Sequence, residues 1–360
     1  MVERIEEAYG SYKVVWHPEK LNSFLKEVIT TPVYVRVKPT NRCNHKCFYC
    51  AYDPQVGYIL SERFNRHDEI PKDKMMEILS DFRNMGVKAV TYSGGGEPLI
   101  YSHIISTLEK TIDYGIDLSA ITNGQKLEGR IANLLSNSRW VRVSLDSSDK
   151  QTFEQIRRIN GKSFDKLINN MYSFSKIKNN NCEFGVNFVV SKENAKTVYD
   201  SAKFFRDLGV NHIKITPVWI HKGFVDYHSS IKEDVLEQIK KAKEELNTNE
   251  FKVYDTYEND FERTGVPQRT YSKCLVMQIN PIIGADSCVY FCHDKAYSSD
   301  GILGSIKNKS FNELWFSKES AEIFKRFDPR DGCRHHCTAD LRNKVIHAAL
   351  NSHGPHVNFI

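Results

Sequence analysis

Eight residues constrain this chain more than any others: Cys43-Asn44-His45-Lys46-Cys47-Phe48-Tyr49-Cys50, a C-x3-C-x2-C arrangement directly after the apolar run Val33–Val37. The segment Met1–Gly10 carries Glu3, Arg4, Glu6 and Glu7 in place of a secretory apolar core. Nothing therefore suggests an oxidising compartment, and a disulfide framework is disfavoured. A redox dithiol of Cys47 and Cys50 leaves Cys43 without a purpose. A structural zinc site wants a fourth ligand nearby, and only His45 offers one. A 4Fe–4S cube normally takes four thiolates, so three from one loop leave one iron open to a small molecule. The cluster reading accounts for all three cysteines.

The chain around this loop alternates strands and helices. A strand over Val33–Pro39 delivers the cysteines, and residues 51–70 read as a polar loop. Pro71 suits a first helical position; Met75, Met76, Ile78, Leu79 and Phe82 follow at helical spacing, with Gly86 as the cap. The run Val87–Tyr92 then leads to Ser93-Gly94-Gly95-Gly96-Glu97-Pro98. Further strands are predicted over Asp117–Thr122, Trp140–Leu145, Glu183–Val190 and His212–Val218, with helices between them. Ser148 is the predicted cap of the helix that follows the fourth strand. Six strands alternating with helices imply parallel pairing, with ligands at the carboxyl ends of the strands. The cysteine loop, the glycine run, Asn123 and Asp146 all fall at such ends.

On the cysteine spacing, the aromatic Tyr49 before the third cysteine and Gly95-Gly96-Glu97-Pro98, the chain resembles the radical S-adenosylmethionine (SAM) superfamily. The resemblance implies a partial (β/α)6 parallel barrel in which Cys43, Cys47 and Cys50 hold a SAM-binding 4Fe–4S cluster. It also implies that the reduced cluster cleaves SAM to a 5′-deoxyadenosyl radical, which abstracts a hydrogen from substrate. Tyr49, Gly95, Gly96, Glu97 and Pro98 are then candidate SAM-binding residues, with the glycine-rich motif against the methionine amino group. Asn123, Ser144, Asp146 and Asn187 are further candidates, and Arg157 matches an arginine that pairs with the methionine carboxylate, a partner its fork suits.

A second cysteine set lies later. Cys274 and Cys292 are separated by seventeen residues, and Cys333-x3-Cys337 closes the set. Four thiolates complete a second 4Fe–4S cluster; zinc has the same ligand count and stays open as an alternative. With Val289-Tyr290-Phe291-Cys292, Leu303-Gly304-Ser305-Ile306 and Glu313-Leu314-Trp315, the region resembles the twitch domain, a shortened relative of the SPASM domain. Cys288 is an extra thiol that competes with Cys292 as a ligand, whereas Cys182 reads as an ordinary packed thiol.

The expected organisation is a lead-in over 1–32 packed on the main domain, the barrel over 33–220, a connecting helix and linker over 221–270, a small α+β auxiliary-cluster domain over 271–340, and a helical tail over 341–360. At 360 residues with a net charge of +5 spread along the chain, the protein is not marked for nucleic acid. No run approaches a membrane span, and a cytoplasmic location is expected. The expected function is oxidation of a small polar metabolite (a sugar, aminosugar or cyclitol), with the auxiliary cluster accepting an electron and a flavodoxin or ferredoxin as reductant. The alternatives are a peptide maturase, disfavoured because residues 1–32 are too few for a peptide-recognition domain, and a non-enzymatic iron–sulfur or zinc module. No catalytic acid or base is assigned; Tyr92, Arg142, His221 and Tyr290 are placed near strand ends or the auxiliary site.

Overall fold

A computed structural model describes residues 9–52, 62–220, 223–258, 269–333 and 337–352. Its centre is one curved sheet. β1 (Tyr34–Val37), β2 (Ala89–Tyr92), β3 (Asp117–Thr122), β4 (Trp140–Ser144), β5 (Glu183–Val190), β6 (His212–Pro217) and β7 (Lys252–Asp255) pair in sequence order, all parallel. Apolar residues on one face of each strand press against the intervening helices. Val141 and Val143 of β4 are fully buried while Trp140, Arg142 and Ser144 on the other face are only partly so. On β5, Phe184 meets Phe174 of the helix Lys162–Ile177 and Phe188 meets Phe205 of the helix Val198–Asp207.

The opposite face lines a lumen and is polar. It carries Arg36 of β1, Thr91 of β2, Ser119 of β3, Arg142 of β4, Asn187 of β5 and Lys214 of β6. The curvature brings distant strands to one point: the Tyr9 ring contacts Arg142, His212, Lys214 and Tyr254. The lead-in also differs from expectation. Its Val14 and Phe24 form a small core with Leu275, Val276 and Ile346, so it joins the C-terminal region as well as the barrel.

The sequence reading stopped at six strands. β7 was missed because Lys252-Val253-Tyr254-Asp255 is short and charged at both ends, a composition that protects an edge strand. On the far side, β8 (Ile282–Ile283) pairs parallel with β1, and β9 (Cys288–Tyr290) and β10 (Ile302–Ser305) follow antiparallel. The cysteine-rich region therefore extends the barrel sheet, in the order β10-β9-β8-β1-β2-β3-β4-β5-β6-β7. The predicted cap Ser148 is displaced by Asp149, whose carboxylate accepts the Thr152 amide at 2.9 Å; Ser148 instead bonds Ser201. Gly86 caps its helix as expected, at φ +81°. Among the described residues, no helix is long and apolar enough to cross a membrane.

Candidate functional site

The loop Cys43–Cys50 leaves β1 and folds over the carboxyl end of the sheet. Backbone bonds fix it: the amides of Lys46 and Phe48 donate to the carbonyls of Arg157 and Ile156, both at 3.1 Å, and Cys50 N closes a turn on Cys47 O. The three thiols share one neighbourhood. The charges of Cys47 and Cys50 would oppose ionisation of Cys43, an exposed residue whose thiol is nonetheless pushed up to about 12 by the protein atoms around it. His45 is buried with both ring nitrogens unpartnered, packed edge-on against Phe153.

The glycine run presses against this loop. Gly96 and Glu97 donate their amides to the carbonyls of Thr40 (3.0 Å) and Arg42 (2.8 Å). A Cβ on Gly96 would overlap the Arg42 carbonyl, and one on Gly95 would overlap the Asn41 amide. Glycine at position 96 is thus required by the close approach of two backbones, whereas Gly95 makes room for the Asn41 side chain. Pro98 opens the buried turn that follows. Glu97 is buried and its carboxylate accepts from Leu99 N (3.0 Å), Thr122 Oγ1 (2.5 Å) and Asn123 N (2.6 Å). Burial pushes its carboxyl up to about 7 against the pull of those donors. Asn123 in turn donates from Nδ2 to Asn44 Oδ1 at 2.7 Å, tying the third strand end to the cysteine loop.

A buried ion pair completes this side. Arg157 Nη2 lies 2.6 Å from Asp146 Oδ2, and Arg157 Nη1 lies 3.2 Å from Cys47 Sγ. Asp146 also accepts from the Tyr49 hydroxyl and, at 2.9 Å, from the Val189 amide. Arg157 is thus already paired with a carboxylate, and only its Nε has no partner. Ser144 and Asn187 stand opposite one another in the β4–β5 register on the lumen face.

The second cysteine set assembles from three segments. The charge of Cys274 bears on Cys292, Cys333 and Cys337, and that of Cys337 on Cys292. Burial raises all four thiols, Cys333 to about 11 and Cys337 to about 12. Asn343 donates to Cys274 Sγ at 3.3 Å while its Oδ1 accepts the amides of Leu275 and Val276. Cys288 lies elsewhere, on β9 beside Asp286 and Arg63 in a cluster with Tyr290 and Tyr297. All nine cysteines are free thiols.

Comparison with known proteins agrees with this geometry. The family model of the radical SAM superfamily matches residues 37–205, and that of an iron–sulfur cluster-binding domain (SPASM) matches residues 274–338. The chain belongs to the radical SAM superfamily. Similar curated proteins include the GTP 3′,8-cyclase of Clostridium perfringens (strain SM101), 28% identical over 221 residues; the match spans 59% of this chain and 64% of that protein. Among solved structures, Streptococcus suis SuiB bound to its precursor peptide SuiA aligns with a TM-score of 0.62 at 16% identity, over 91% of this chain and 75% of that one. The anSMEcpe protein with bound AdoMet aligns at 0.60 and 18% identity, over 88% and 96%. Both share the fold.

Membership brings three cofactors to this radical SAM protein: SAM, the 4Fe–4S cluster on which it binds, and an auxiliary iron–sulfur cluster. The donor sets fit. Each group gathers thiols from one neighbourhood, and in the second set burial favours the protonated form, a state that the positive charge of a metal reverses, since a coordinating thiol loses its proton outright. Of the proposed acid–base candidates, Tyr92 lies on the helix side and bonds Thr111, and Tyr290 is held by Asp286. Arg142 faces the lumen, and His221 lies outside the described residues, as does the tail 353–360.

Sequence reasoning missed Asn41, Asn44, Tyr297 and, apart from Arg142, the lumen cations. Tyr297 donates to Asn41 Oδ1 at 2.6 Å, joining the auxiliary region to the first loop. Lys38 is fully buried, bonded to the Tyr52 hydroxyl and lying over the Tyr52 and Tyr297 rings. The available signal was on β1, where Arg36 and Lys38 alternate with Val35 and Val37 in a strand that has neighbours on both sides.

Substitutions at two positions, Gly96 and Arg157, test this arrangement. Gly96→Ala is expected to cost about 3 kcal/mol of stability, the upper end of overpacking, with reduced iron retention at the first site. Arg157→Ala, which leaves Asp146 buried and unpaired, is expected to cost about 3–5 kcal/mol. Arg157→Lys should recover only part of it, because one ammonium does not reproduce the fork across Cys47 and Asp146. Denaturant unfolding at matched iron content measures both.

Proposed function

We propose that this chain abstracts a hydrogen atom from a small polar substrate of sugar, aminosugar or cyclitol type, held in the lumen between the two cysteine sets, and oxidises it. The observation that carries the reading is Lys38. From the end of β1 it lies within electrostatic reach of Cys50 on one side and of Asp294, two residues beyond Cys292, on the other. Lys38, on the strand that both cysteine regions adjoin, thus faces each thiol set from the polar side of the sheet.

SAM on the reduced first cluster supplies the hydrogen-abstracting group, and the auxiliary cluster supplies a place for the electron released by oxidation. The chain's own residues position and exclude. Cys43, Cys47 and Cys50 would hold the first cluster; Cys274, Cys292, Cys333 and Cys337 would hold the second. The separate setting of Cys288 supports Cys292 as the ligand. Gly95, Gly96, Glu97 and Pro98 present a buried carboxylate and bare backbone beside the first loop, which suits an amino-acid ammonium. Tyr49, Asn123, Asp146 and Arg157 fix the loop's position, and Ser144 and Asn187 offer polar groups to SAM from the lumen wall.

The similar curated proteins are named for a reaction on GTP, a small polar molecule, which supports this substrate class over a peptide. The peptide complexes of SuiB and anSMEcpe keep a maturase as the second reading. A cytoplasmic setting with a flavodoxin or ferredoxin reductant suits nine free thiols.

The deciding experiment measures iron, sulfide and dithionite-driven SAM cleavage in anaerobically reconstituted protein. About eight irons per chain with 5′-deoxyadenosine formed is the expected result. About four irons plus zinc would remove the electron-acceptor role and the oxidation with it. Replacing Cys43, Cys47 and Cys50 together with Ala should abolish SAM cleavage and leave the second cluster; surviving cleavage would refute the assignment. Cys288→Ala should leave iron content unchanged while Cys292→Ala lowers it, and the reverse would exchange the two.

A further inference from the structure

We propose that the lumen contains an anion subsite for a phosphate-bearing substrate, built by Arg36 of β1 and Arg142 of β4. This deepens the small-substrate reading and rests on it for the reaction, though not for anion binding itself.

Strand alternation places Arg36 and Arg142 on the lumen face, with Val35, Val37, Val141 and Val143 directed outward into the helix layer. The Nε atoms of both guanidinium groups are buried without a hydrogen-bond partner. Their other contacts are largely to neutral groups: Arg36 Nη1 lies 3.1 Å from the His293 ring, and Arg142 Nη1 lies 3.3 Å from the Tyr9 hydroxyl. Strand register puts the two at nearly one height: Arg36 aligns through Thr91 and Ser119 with Trp140, the lumen-facing neighbour of Arg142 along β4.

The carboxylates nearby are occupied. Asp294 accepts from the Thr338 amide and hydroxyl, at 2.9 and 3.1 Å; Asp286 accepts from Tyr290; Glu183 pairs with His212 at 2.8 Å. The fold treats its other buried arginines differently. Arg157 and Arg269 each meet a carboxylate, at 2.6 and 3.1 Å, whereas Arg36 and Arg142 form no ion pair among the described residues.

Holding like charges together away from water is costly unless an opposite charge joins them. Arginine forks match phosphate oxygens bidentately. A phosphate monoester brings about −1.5 to −2 charges near neutral pH, against one for a carboxylate, which suits two guanidinium groups.

The test is calorimetric titration of the reconstituted holoprotein with glycerol 3-phosphate, using glycerol and succinate for comparison. Saturable binding of glycerol 3-phosphate is expected, weakened at least tenfold by Arg36→Gln and by Arg142→Gln. Arg142→Lys should recover part of the affinity, and Arg130→Gln, at an exposed arginine, should leave it unchanged. Iron content of each variant reports folding. Equal affinity in wild type and both glutamine variants, or no saturable binding by wild type, overturns the subsite. Succinate binding as tightly as glycerol 3-phosphate overturns the phosphate assignment. Anion binding that persists in a protein lacking the expected iron would sink the proposed reaction and leave the subsite standing.

Discussion

Two backbones meet without space for a side chain where Gly96 passes the Arg42 carbonyl, and much of the first site depends on that approach. It lets two amides of the glycine loop bond the carbonyls of the cysteine loop. It also seats Glu97 so that one carboxylate collects donors from its own turn and from the end of β3. Asn123 then returns a bond to Asn44, closing a circuit of β1, β2 and β3 through their loops. The Asp146–Arg157 pair fastens the opposite flank to β4 and β5. Positioning at this site is therefore done by short-range contacts among strand ends, the rigid framework that reactive-group placement requires.

The second site is positioned by different means. Its cysteines come from segments far apart in the chain, and a hydrogen-bonded ladder sets their relation to the barrel. β8 lies against β1, and Tyr297 reaches Asn41 across 256 positions of sequence. Lys38 and Arg36, on the strand that the two halves share, face the space between them.

Local signals were legible in the sequence. Apolar runs marked β1 to β6, the cysteine spacing marked the first loop, and the glycine run marked a place where backbones approach. The reason for the glycines was only partly visible: ligand contact was inferred, and packing on Arg42 depends on a neighbour that local pattern does not name. β7 carries no apolar run, so periodicity passed over it. The pairing of β8 with β1, and of Arg36 with His293 across 257 positions, depends on long-range topology. Ser148 and Asp149 are both good caps by composition, and the choice between them was made by backbone geometry alone.

The union of barrel and cysteine-rich region has a further consequence. The amides of Tyr34, Arg36 and Lys38 donate to the carbonyls of Ile279, Pro281 and Ile283, at 3.1, 3.1 and 2.8 Å. The C-terminal region is thus the cover of what would otherwise be a bare sheet margin, made of the very strand that delivers the first three cysteines. A chain emerging from the ribosome carries that margin uncovered until the segment 279–283 has followed it out, an open template for pairing with other chains. Late-arriving sequence here protects the nascent barrel from its neighbours as well as supplying the second set of thiols.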